Sequence, residues 1–543
     1  MYKNKITQAL LLGAGLVVAL PSFSTFAAQV PTDIKLADKQ ELVRANGTEP
    51  ESLDPQKVSG VPESNVIRDL LEGLVNQDAE GNLVAGVAKS WQTTDNKTWI
   101  FHLRDDAKWS NGDAVTADDF VYTWRRLADP KTASPYASYL DMTTMLNATD
   151  IIAGKKSPET LGVEAVDAHT LKVTLDKPLS YFASMLVHTS MKPVNKNAVE
   201  KFGDQWTKVG NYVSNGAYQL DNWVVNERIV LTRNNNYWNN KATVINQVTF
   251  LPIENQVAAM NRFLAGEVDM TYEMPNEHFK RLTKDYPQDV KVTPYLCSYY
   301  YEFNTARKPF DNSDVRKALS YAIDRDVLAK FIVGKGETPA YNFTPLATNG
   351  LEVEMPDYAK LNQKQRLEKA KALLEAAGYN QNNPLTFKVL YNTSENHKKI
   401  AVAIASMWKK SLGVEAQLEN QEWKSYLDSK RQGNFDVSRA GWCGDYNEAS
   451  TFLAIMRTGH SQNYPKYASA DYDKAIEDAI LAPTAAERAA DYKRAEASLA
   501  QDMPIMPIYH YVNARLVNPQ LGGYPMKNAE DNIYSKDMYF IAK

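Results

Sequence analysis

The hydrophobic and polar residues of this chain form short periodic patterns that predict strands and helices in alternation. Strand-like patterns occur in four segments, namely residues 98–103, 170–175, 228–232 and 290–295. Residues 361–377 instead have the spacing of an amphipathic helix, with Gly378 placed to end it. This mixture indicates an α/β fold without internal repeats.

A second helix is predicted to begin where Thr393 or Ser394 can cap it and to end before Gly413. Its apolar side chains recur at helical spacing and form one stripe, made of Ile400, Ala403, Ile404, Met407 and Trp408. Both helices are interpreted as parts of the core, because such stripes indicate packing and not function.

The first residues have the pattern of a signal peptide. Lys3 and Lys5 precede an apolar run at residues 9–20, and small residues follow it up to Ala27. The apolar run is shorter than the roughly 20 residues that span a bilayer. We therefore predict that residues 1–27 are removed by cleavage near Ala27 and that the mature protein reaches the periplasm.

Length and charge limit the function classes that remain. The chain has 543 residues, with 61 Lys and Arg against 65 Asp and Glu. This length exceeds what one hydrophobic core normally serves, so two or three domains are expected. No concentrated basic face is visible in the sequence, so we expect no nucleic acid as a partner. No apolar run after the signal peptide reaches membrane-spanning length, so we expect no stable membrane insertion.

Cys297 and Cys443 are the two cysteines of the chain. Both belong to the part that would reach the oxidising periplasm, where cysteines commonly form disulfides. From compartment and parity we predict a Cys297–Cys443 disulfide, with two buried free thiols as the alternative.

The sequence lacks the motifs of common catalytic sites. No two of its seven histidines have the i, i+4 spacing of a zinc protease helix. It also contains no phosphate-binding loop, no dinucleotide fingerprint and no Gly-x-Ser-x-Gly elbow. We therefore expect no enzyme activity, no cofactor and no metal. An exported peptidase stays open as an alternative, because catalytic residues can be assembled from distant positions.

Residues 86–124 resemble the signature region of the large peptide- and nickel-binding class of ABC importer binding proteins. The matching positions are Gly86, Val87, Ala88, Trp91, Trp99, Phe101, Leu103, Arg104, Lys108, Trp109, Gly112, Val115, Thr116, Asp119, Phe120, Tyr122 and Trp124. Segments 52–55 and 316–325 resemble the same class. Residues 439–448 closely resemble its oligopeptide-binding members from enteric bacteria.

The resemblance implies an α/β, bilobed periplasmic-binding-protein fold with an extra third domain, mixed sheets flanked by helices, and a hinge between the lobes. Lobe I would comprise residues 28–71, 196–296 and 513–543. The additional domain II would comprise residues 72–195, and lobe III residues 297–512. Both cysteines then fall in one lobe, in agreement with the predicted disulfide.

The function implied by the resemblance is the capture of short peptides, of about two to five residues, with little sequence preference. The protein would act as a monomer and deliver its peptides to an inner-membrane ABC permease complex. A peptide brings an ammonium and a carboxylate, and each would cost several kcal/mol to bury without a partner. Asp445 matches the family partner of the ammonium, although its sequence context also suits a turn aspartate.

For the peptide carboxylate, the resemblance indicates Arg439, His397 and Lys430. Arg439 offers a bidentate fork, and His397 would lie in the first turn of a helix, where amide dipoles favour an anion. At Val333 a basic residue of the family pattern is missing, which puts reach for the longest peptides in doubt. Lys335 lies close enough in sequence to compensate.

Further positions match the lining of the family's cleft and side-chain pockets. They are Val61, Tyr136, Tyr300, Glu302, Trp423, Gly441, Trp442, Cys443, Tyr511 and Arg515. Core packing is the alternative role for each aromatic side chain. Ser59 replaces an acidic residue of the enteric pattern, which predicts a weaker preference for basic side chains.

Three alternatives remain beside general peptide capture. Close relatives within the class carry murein peptides, so a murein-peptide-specific binding protein is the nearest one. An exported peptidase would need a nucleophile or metal in the same cleft. A periplasmic chaperone or scaffold would bind unfolded proteins instead of short peptides.

Overall fold

A computed structural model describes residues 28–349 and 351–543 of the chain. The predicted signal peptide, residues 1–27, lies outside the described residues. Within the described part of the chain, none of the helices combines the length and the apolar character needed to cross a membrane.

The strands form three main sheets and two small ones. Sheet I contains, in spatial order, Glu41–Ala45, Gln247–Leu251, Arg228–Arg233 and Tyr218–Val224. Sheet II contains Ala88–Thr93, Thr98–Leu103, Thr170–Thr174 and Val163–Asp167. Sheet III contains Thr338–Pro339, Ile505–Leu516, Val290–Phe303, Val437–Cys443, Thr386–Asn392 and Glu415–Gln421. The small sheets pair Val75–Gln77 with Leu83–Ala85 and Leu521–Gly522 with Tyr539–Phe540.

Helices flank these sheets on their faces and connect their strands. The α-helices are Val61–Leu70, Ala117–Ala128, Ala137–Met142, Ala148–Ile152, Phe182–Met185, Lys196–Phe202, Gln256–Leu264, Phe279–Asp285, Ser313–Tyr321, Arg325–Val327, Gln363–Ala376, Glu395–Leu412, Trp423–Arg431, Ser450–Leu453, Ala470–Leu481 and Ala485–Asp502. Residues Leu328–Val333 form a short π-helix. Sheets I and III are mixed, since each contains parallel and antiparallel pairs, whereas sheet II is antiparallel.

The helices predicted from the sequence are confirmed with small shifts at their ends. The first runs from Gln363 to Ala376, and Asn362 begins it in a capping box with Gln365. The second, Glu395–Leu412, is capped by Ser394, whose hydroxyl accepts from the backbone N–H of the third helical residue. The helix ends before Gly413, as predicted.

Two long strands of sheet III, Val290–Phe303 and Ile505–Leu516, pair antiparallel with each other, and we call them the crossing strands. Their ladder is irregular between Pro294 and Ser298. The predicted boundaries between lobe I and lobe III, at residues 296–297 and 512–513, fall in or beside this irregular part. The two strands therefore extend from the region of lobe I into that of lobe III.

Each predicted domain contains one main sheet, although the domain boundaries themselves stay a prediction. Sheet I lies within the segments assigned to lobe I and sheet II within residues 72–195. Sheet III lies mostly within residues 297–512, apart from the ends of the crossing strands.

The predicted disulfide between Cys297 and Cys443 is confirmed. The two cysteines lie opposite each other in the ladder between Val290–Phe303 and Val437–Cys443. The disulfide therefore links neighbouring strands of sheet III at one end of their pairing.

Candidate ligand-binding site

A cavity of about 220 Å³ lies where lobe I, domain II and lobe III meet. Its wall combines four elements with the loops between them. These are the first turn of helix Val61–Leu70, the loop around His188, the strand Val437–Cys443 and the start of helix Glu395–Leu412. The cavity thus draws on distant parts of the chain, as expected of a site between lobes.

At one end of the cavity lies the carboxylate of Asp445, which follows the strand Val437–Cys443. Its Oδ1 accepts from the Tyr136 hydroxyl at 3.3 Å and lies 3.3 Å from Nε2 of His188. Burial raises the pKa of Asp445 well above its usual range, and neighbouring Glu530 contributes to this rise. A positive charge placed here would reverse the shift, because it favours the carboxylate form.

The imidazole of His188 faces Asp445 with one nitrogen and Ser190 with the other. The backbone N–H of Ser190 donates to Nδ1 at 3.3 Å, and the Ser190 hydroxyl lies 2.8 Å from the same nitrogen. Burial, with Arg68 and Lys192 nearby, lowers the pKa of His188 to about 3. This lowered pKa indicates a neutral ring, and because Nδ1 accepts from the backbone, the proton of a neutral ring would lie on Nε2, the nitrogen that faces Asp445.

Ser190 contacts His188, and His188 contacts Asp445, as in a catalytic triad, but the serine is not placed to attack a substrate. Ser190 is 1% exposed and does not line the cavity. A nucleophile must contact the bound substrate. The geometry thus gives no support to a peptidase built on these three residues.

The other charged end of the cavity contains Arg439 and His397. The Arg439 guanidinium donates to Oδ1 of Asn392 at 3.2 Å and to the Tyr511 hydroxyl at 2.6 Å. It packs over the ring of Tyr299 at 4.8 Å. Among the described residues no carboxylate lies within salt-bridge distance of Arg439, so its charge is available to an anionic ligand.

His397 lies in the first turn of helix Glu395–Leu412, as predicted. Burial lowers the pKa of His397 well below its usual value, and Arg439 and Lys335 add to this effect. Its Nδ1 is buried without a hydrogen-bond partner in the described part of the chain.

The strand Val437–Cys443 lies between two other strands of sheet III, but one of its sides is largely unpaired within the described residues. We call it the edge strand because this unpaired side faces the cavity. On one side it pairs with the crossing strand Val290–Phe303 along its whole length. On the other side it pairs with Thr386–Asn392 at Val437 and Ser438 alone. Residues 439–443 therefore present a strand edge that has no ladder partner within the described residues, and four of them line the cavity.

Two contacts near the cavity join lobe I to lobe III. The Arg431 guanidinium binds both carboxylate oxygens of Glu51, at 2.7 and 2.9 Å. Nearby, Trp423 Nε1 donates to Glu63 at 3.1 Å. Glu63 is fully buried, and burial raises its pKa to about 7. A Cβ atom on Gly60 would collide with Oε2 of Glu63 and lie 2.9 Å from the Trp423 ring, so a glycine at this position leaves room for both side chains of this contact.

Most of the predicted site residues lie together in the cavity wall. They are Val61, Tyr136, His397, Trp423, Arg439, Gly441, Trp442, Cys443, Asp445 and Tyr511, and Ser59 lies beside them. The resemblance thus predicted a group of residues that the fold brings into one place, although their individual roles stay predictions.

The other four predicted site residues do not line this cavity; they are Tyr300, Glu302, Lys430 and Arg515. Lys430 forms a buried ion pair with Glu302 at 2.9 Å and does not line the cavity. Tyr300 is buried beside this pair and packs edge-to-face on Phe343. Arg515 is bound by both oxygens of Asp531, at 2.7 and 2.6 Å. A role for Lys430 with a peptide carboxylate stays a prediction.

A small extension of about 30 Å³ continues from the cavity past His397 and Tyr511. Val333 and Lys335 line it, together with Arg515. The Lys335 ammonium pairs with Glu337 at 3.2 Å and donates to Oδ1 of Asn276 at 2.7 Å. Lys335 therefore lies where the sequence suggested, but its charge already has a protein partner.

Several residues of the wall have no local signal in the sequence. His188 and Glu530 are distant in sequence from Asp445, which both of them approach, and Arg68 lies in the same helix as Val61 but matches no motif. Glu254 and Glu273 also line the cavity, where Thr48 and Gln256 donate to them. Among the residues that the structure describes, no group of three or more His, Cys, Asp or Glu side chains is arranged to hold a metal ion.

Sequence comparison places this site in a known family. Residues 82–464 match the family model "Bacterial extracellular solute-binding proteins, family 5 Middle". The chain is 54% identical over 540 residues to the periplasmic oligopeptide-binding protein OppA of Salmonella typhimurium, an alignment that covers 99% of each chain.

Solved structures agree with this match. The murein tripeptide-binding protein MppA of Escherichia coli has a TM-score of 0.93 at 50% identity, covering 94% of this chain and 100% of that one. Haemophilus influenzae OppA in complex with RPPGFSPFR has a TM-score of 0.92 at 50% identity and the same coverage. The unliganded open form of MppA has a TM-score of 0.66, with 94% of this chain and 99% of that chain covered.

The two MppA structures are each 50% identical to this chain, yet the one described as unliganded and open has the lower TM-score, which indicates a different placement of the lobes. The present structure is unlike the open form, in agreement with its contacts between lobe I and lobe III. Fold, cavity and sequence match agree, and the chain belongs to the bacterial extracellular solute-binding proteins, family 5.

Proposed function

We propose that this protein is the substrate-binding component of an ABC importer, which captures short peptides in the periplasm and delivers them to a membrane permease. Peptides would be bound through their backbone and termini, with little preference for sequence. Asp445 would bind the peptide ammonium, and Arg439 and His397 the carboxylate.

The observation that carries the proposal is the open side of the edge strand. An extended peptide can add to such an edge by main-chain hydrogen bonds, which do not depend on its sequence. Arg439 lies near one end of this segment and Asp445 just beyond the other. With the ammonium at Asp445, the peptide would run antiparallel to the edge strand.

The length of the segment also suits short peptides. Residues 439–445 extended would span roughly 20 Å at about 3.3 Å per residue. That is about the length of an extended peptide of five or six residues. A longer ligand occurs in a relative, since the solved structure of Haemophilus influenzae OppA is a complex with RPPGFSPFR, which has nine residues.

Native mass spectrometry of the freshly purified mature protein tests the proposal. We expect a monomer that begins near Ala28 and carries a spread of added masses matching assorted short peptides. A protein that neither retains peptides nor binds defined tripeptides in titration would contradict peptide capture. Hydrolysis of an added peptide would favour the peptidase alternative.

A murein-peptide carrier is the second candidate, because MppA is as similar in structure to this chain as Haemophilus influenzae OppA is. Competition between a murein tripeptide and trilysine separates the two. A hundredfold preference for the murein tripeptide, about 2.7 kcal/mol, would favour the second candidate. Comparable affinities would favour general peptide capture.

A further inference from the structure

We propose that His188 is a positioning residue that holds Asp445 ready for the peptide ammonium, by donating a hydrogen bond from a neutral imidazole when the lobes are closed. This inference rests on the proposed function and deepens it. It adds a residue of domain II to the ammonium site and assigns it a protonation state.

The first step is the direction of the donor. Ser190 donates its backbone N–H to Nδ1 of His188, which requires a lone pair on that nitrogen. The proton of the neutral ring therefore lies on Nε2, 3.3 Å from Oδ1 of Asp445. The backbone of domain II thus fixes the tautomer that donates to the anchor.

The second step is the setting of the ring. His188 stacks on Tyr136 with centroids 4.6 Å apart, and Tyr139 covers it at 4.9 Å. Its side chain is 14% exposed. The charged groups that face it are Arg68, Lys192 and Asp445, and the two cations disfavour a positive ring.

The third step concerns the two oxygens of Asp445. Oδ1 receives both short contacts, from His188 and from the Tyr136 hydroxyl at 3.3 Å each. Oδ2 has a single and longer contact, from Tyr136 at 3.5 Å. The two donors therefore fix the carboxylate through one oxygen and leave the other available to an ammonium.

The fourth step links this contact to closure. Tyr136 and His188 belong to the segment 72–195, whereas Asp445 follows the edge strand of sheet III. Separation of lobe III from domain II would break both contacts at once. Closure therefore completes the ammonium site, and the hydrogen bond from Tyr136 offsets part of the rise in pKa that burial gives Asp445.

Two substitutions test the proposal by isothermal titration with trialanine and N-acetyl-trialanine. His188→Leu removes the donor, whereas His188→Gln keeps an amide N–H at about the reach of Nε2. Since a hydrogen bond to a charged group is lost, we expect H188L to bind trialanine about ten- to hundredfold more weakly. We expect H188Q to stay within about threefold of the native protein, and N-acetyl-trialanine to respond little to either change.

His460→Leu is the matched control. His460 is also half-buried between domain II and lobe III, where its Nε2 lies 3.3 Å from Met142 Sδ, but it does not line the cavity. We expect H460L to change binding of the two peptides by the same factor. Native affinity of H188L for trialanine would overturn the proposal, and so would an equal loss for both peptides.

A spectroscopic measurement tests the tautomer without a destabilising substitution. With ¹⁵N-histidine labelling, and the His188 signal assigned by its absence in H188Q, we expect a neutral ring protonated on Nε2 from pH 5 to 8. A protonated ring or a proton on Nδ1 would overturn the proposal.

The two proposals can fail separately. If the native protein binds no peptide at all, the proposed function fails. If the native protein binds peptides but H188L binds trialanine equally well, this inference alone is refuted.

Discussion

Single side chains of the cavity wall fall into two groups, according to whether their polar atoms have partners within the protein. Arg515 is fully engaged by Asp531. By contrast, Nε of Arg439 and Nδ1 of His397 are buried without a partner in the described part of the chain. Such atoms cost about 1–3 kcal/mol each when unpaired. They mark positions where a ligand or water stabilises the protein.

Asp445→Asn tests the ammonium anchor. Removing one charge of a buried pair costs about 3–5 kcal/mol. We therefore expect trialanine to bind more than a hundredfold more weakly to D445N. N-acetyl-trialanine has no ammonium and should be affected little. Titration calorimetry measures both, and an equal loss for the two peptides would refute the anchor role.

Arg439→Gln tests the opposite end in the same way. The guanidinium has no anionic partner among the described residues, so its charge is expected to act on the ligand. We expect R439Q to bind pentaalanine, which is long enough to reach both anchors, about tenfold or more weakly, because a charge-assisted hydrogen bond is lost. A pentaalanine amide should lose much less. If the amide loses as much as the free acid, Arg439 supports the wall and does not bind the carboxylate.

The residues of the site could be predicted only where they belong to a segment that resembles the family. Asp445 and Arg439 were found through the resemblance of residues 439–448, since charged residues in a strand or turn have many other uses. His188 was not predicted as a site residue, because its proposed role depends on a contact with Asp445, which is far along the chain. Lys430 and Glu302 were expected at the ligand, but their pairing with each other is a tertiary fact that no local pattern shows.

At the scale of elements, helix Glu395–Leu412 anchors the core of lobe III. Ile400, Ile404 and Trp408 are fully buried against sheet III. The indole N–H of Trp408 donates to the Leu319 carbonyl at 2.8 Å, which joins this helix to Ser313–Tyr321.

Trp408→Ala is expected to destabilise the protein by about 3–5 kcal/mol, because it leaves a large cavity and an unpaired carbonyl. Val402→Ala, on the exposed side of the same helix, should cost about 0.5 kcal/mol or less. Denaturant titration of both variants measures the difference. Similar midpoints for the two would contradict the assigned packing.

Elements with a clear period were predictable, and those buried on both faces were not. The helix after Asn362 was found because its cap, its stripe and its terminal glycine all agree. The crossing strand Val290–Phe303 was predicted only to residue 295. From residue 296 onward its side chains are buried on both faces, so polar and apolar positions no longer alternate.

At the scale of the whole molecule, closure is stabilised by contacts that lie outside the ligand anchors. The ion pair between Arg431 and Glu51 and the hydrogen bond from Trp423 to Glu63 both join lobe III to lobe I. The backbone N–H of Glu51 also donates to Glu63 at 2.9 Å, so the two contacts form one unit.

Closure should depend on pH through Glu63. In the closed arrangement burial raises the pKa of Glu63 to about 7, from an ordinary value of 4.5. We expect the ordinary value when the lobes part and water replaces Trp423. The closed form then holds the proton more tightly, so closure is favoured as the pH falls through 7, and the gain levels off below about 4.5.

In numbers, Glu63 should make peptide binding about tenfold tighter at pH 6 than at pH 8. The peptide amine and other groups also titrate, so the comparison is with Glu63→Gln, which we expect to lack this part of the dependence. Titration calorimetry over this range, with proton uptake measured in buffers of different ionisation enthalpy, tests it. Identical profiles for E63Q and the native protein would contradict the assignment.

The burial of the two anchors has a consequence for rates. In the closed arrangement the side chain of Asp445 is 8% exposed and Arg439 is 9% exposed. A peptide therefore reaches them only before closure and leaves only after reopening. Dissociation cannot be faster than reopening, so peptides of different sequence share one upper limit on their release rate. Residence time is then set by the rate of reopening as much as by the peptide.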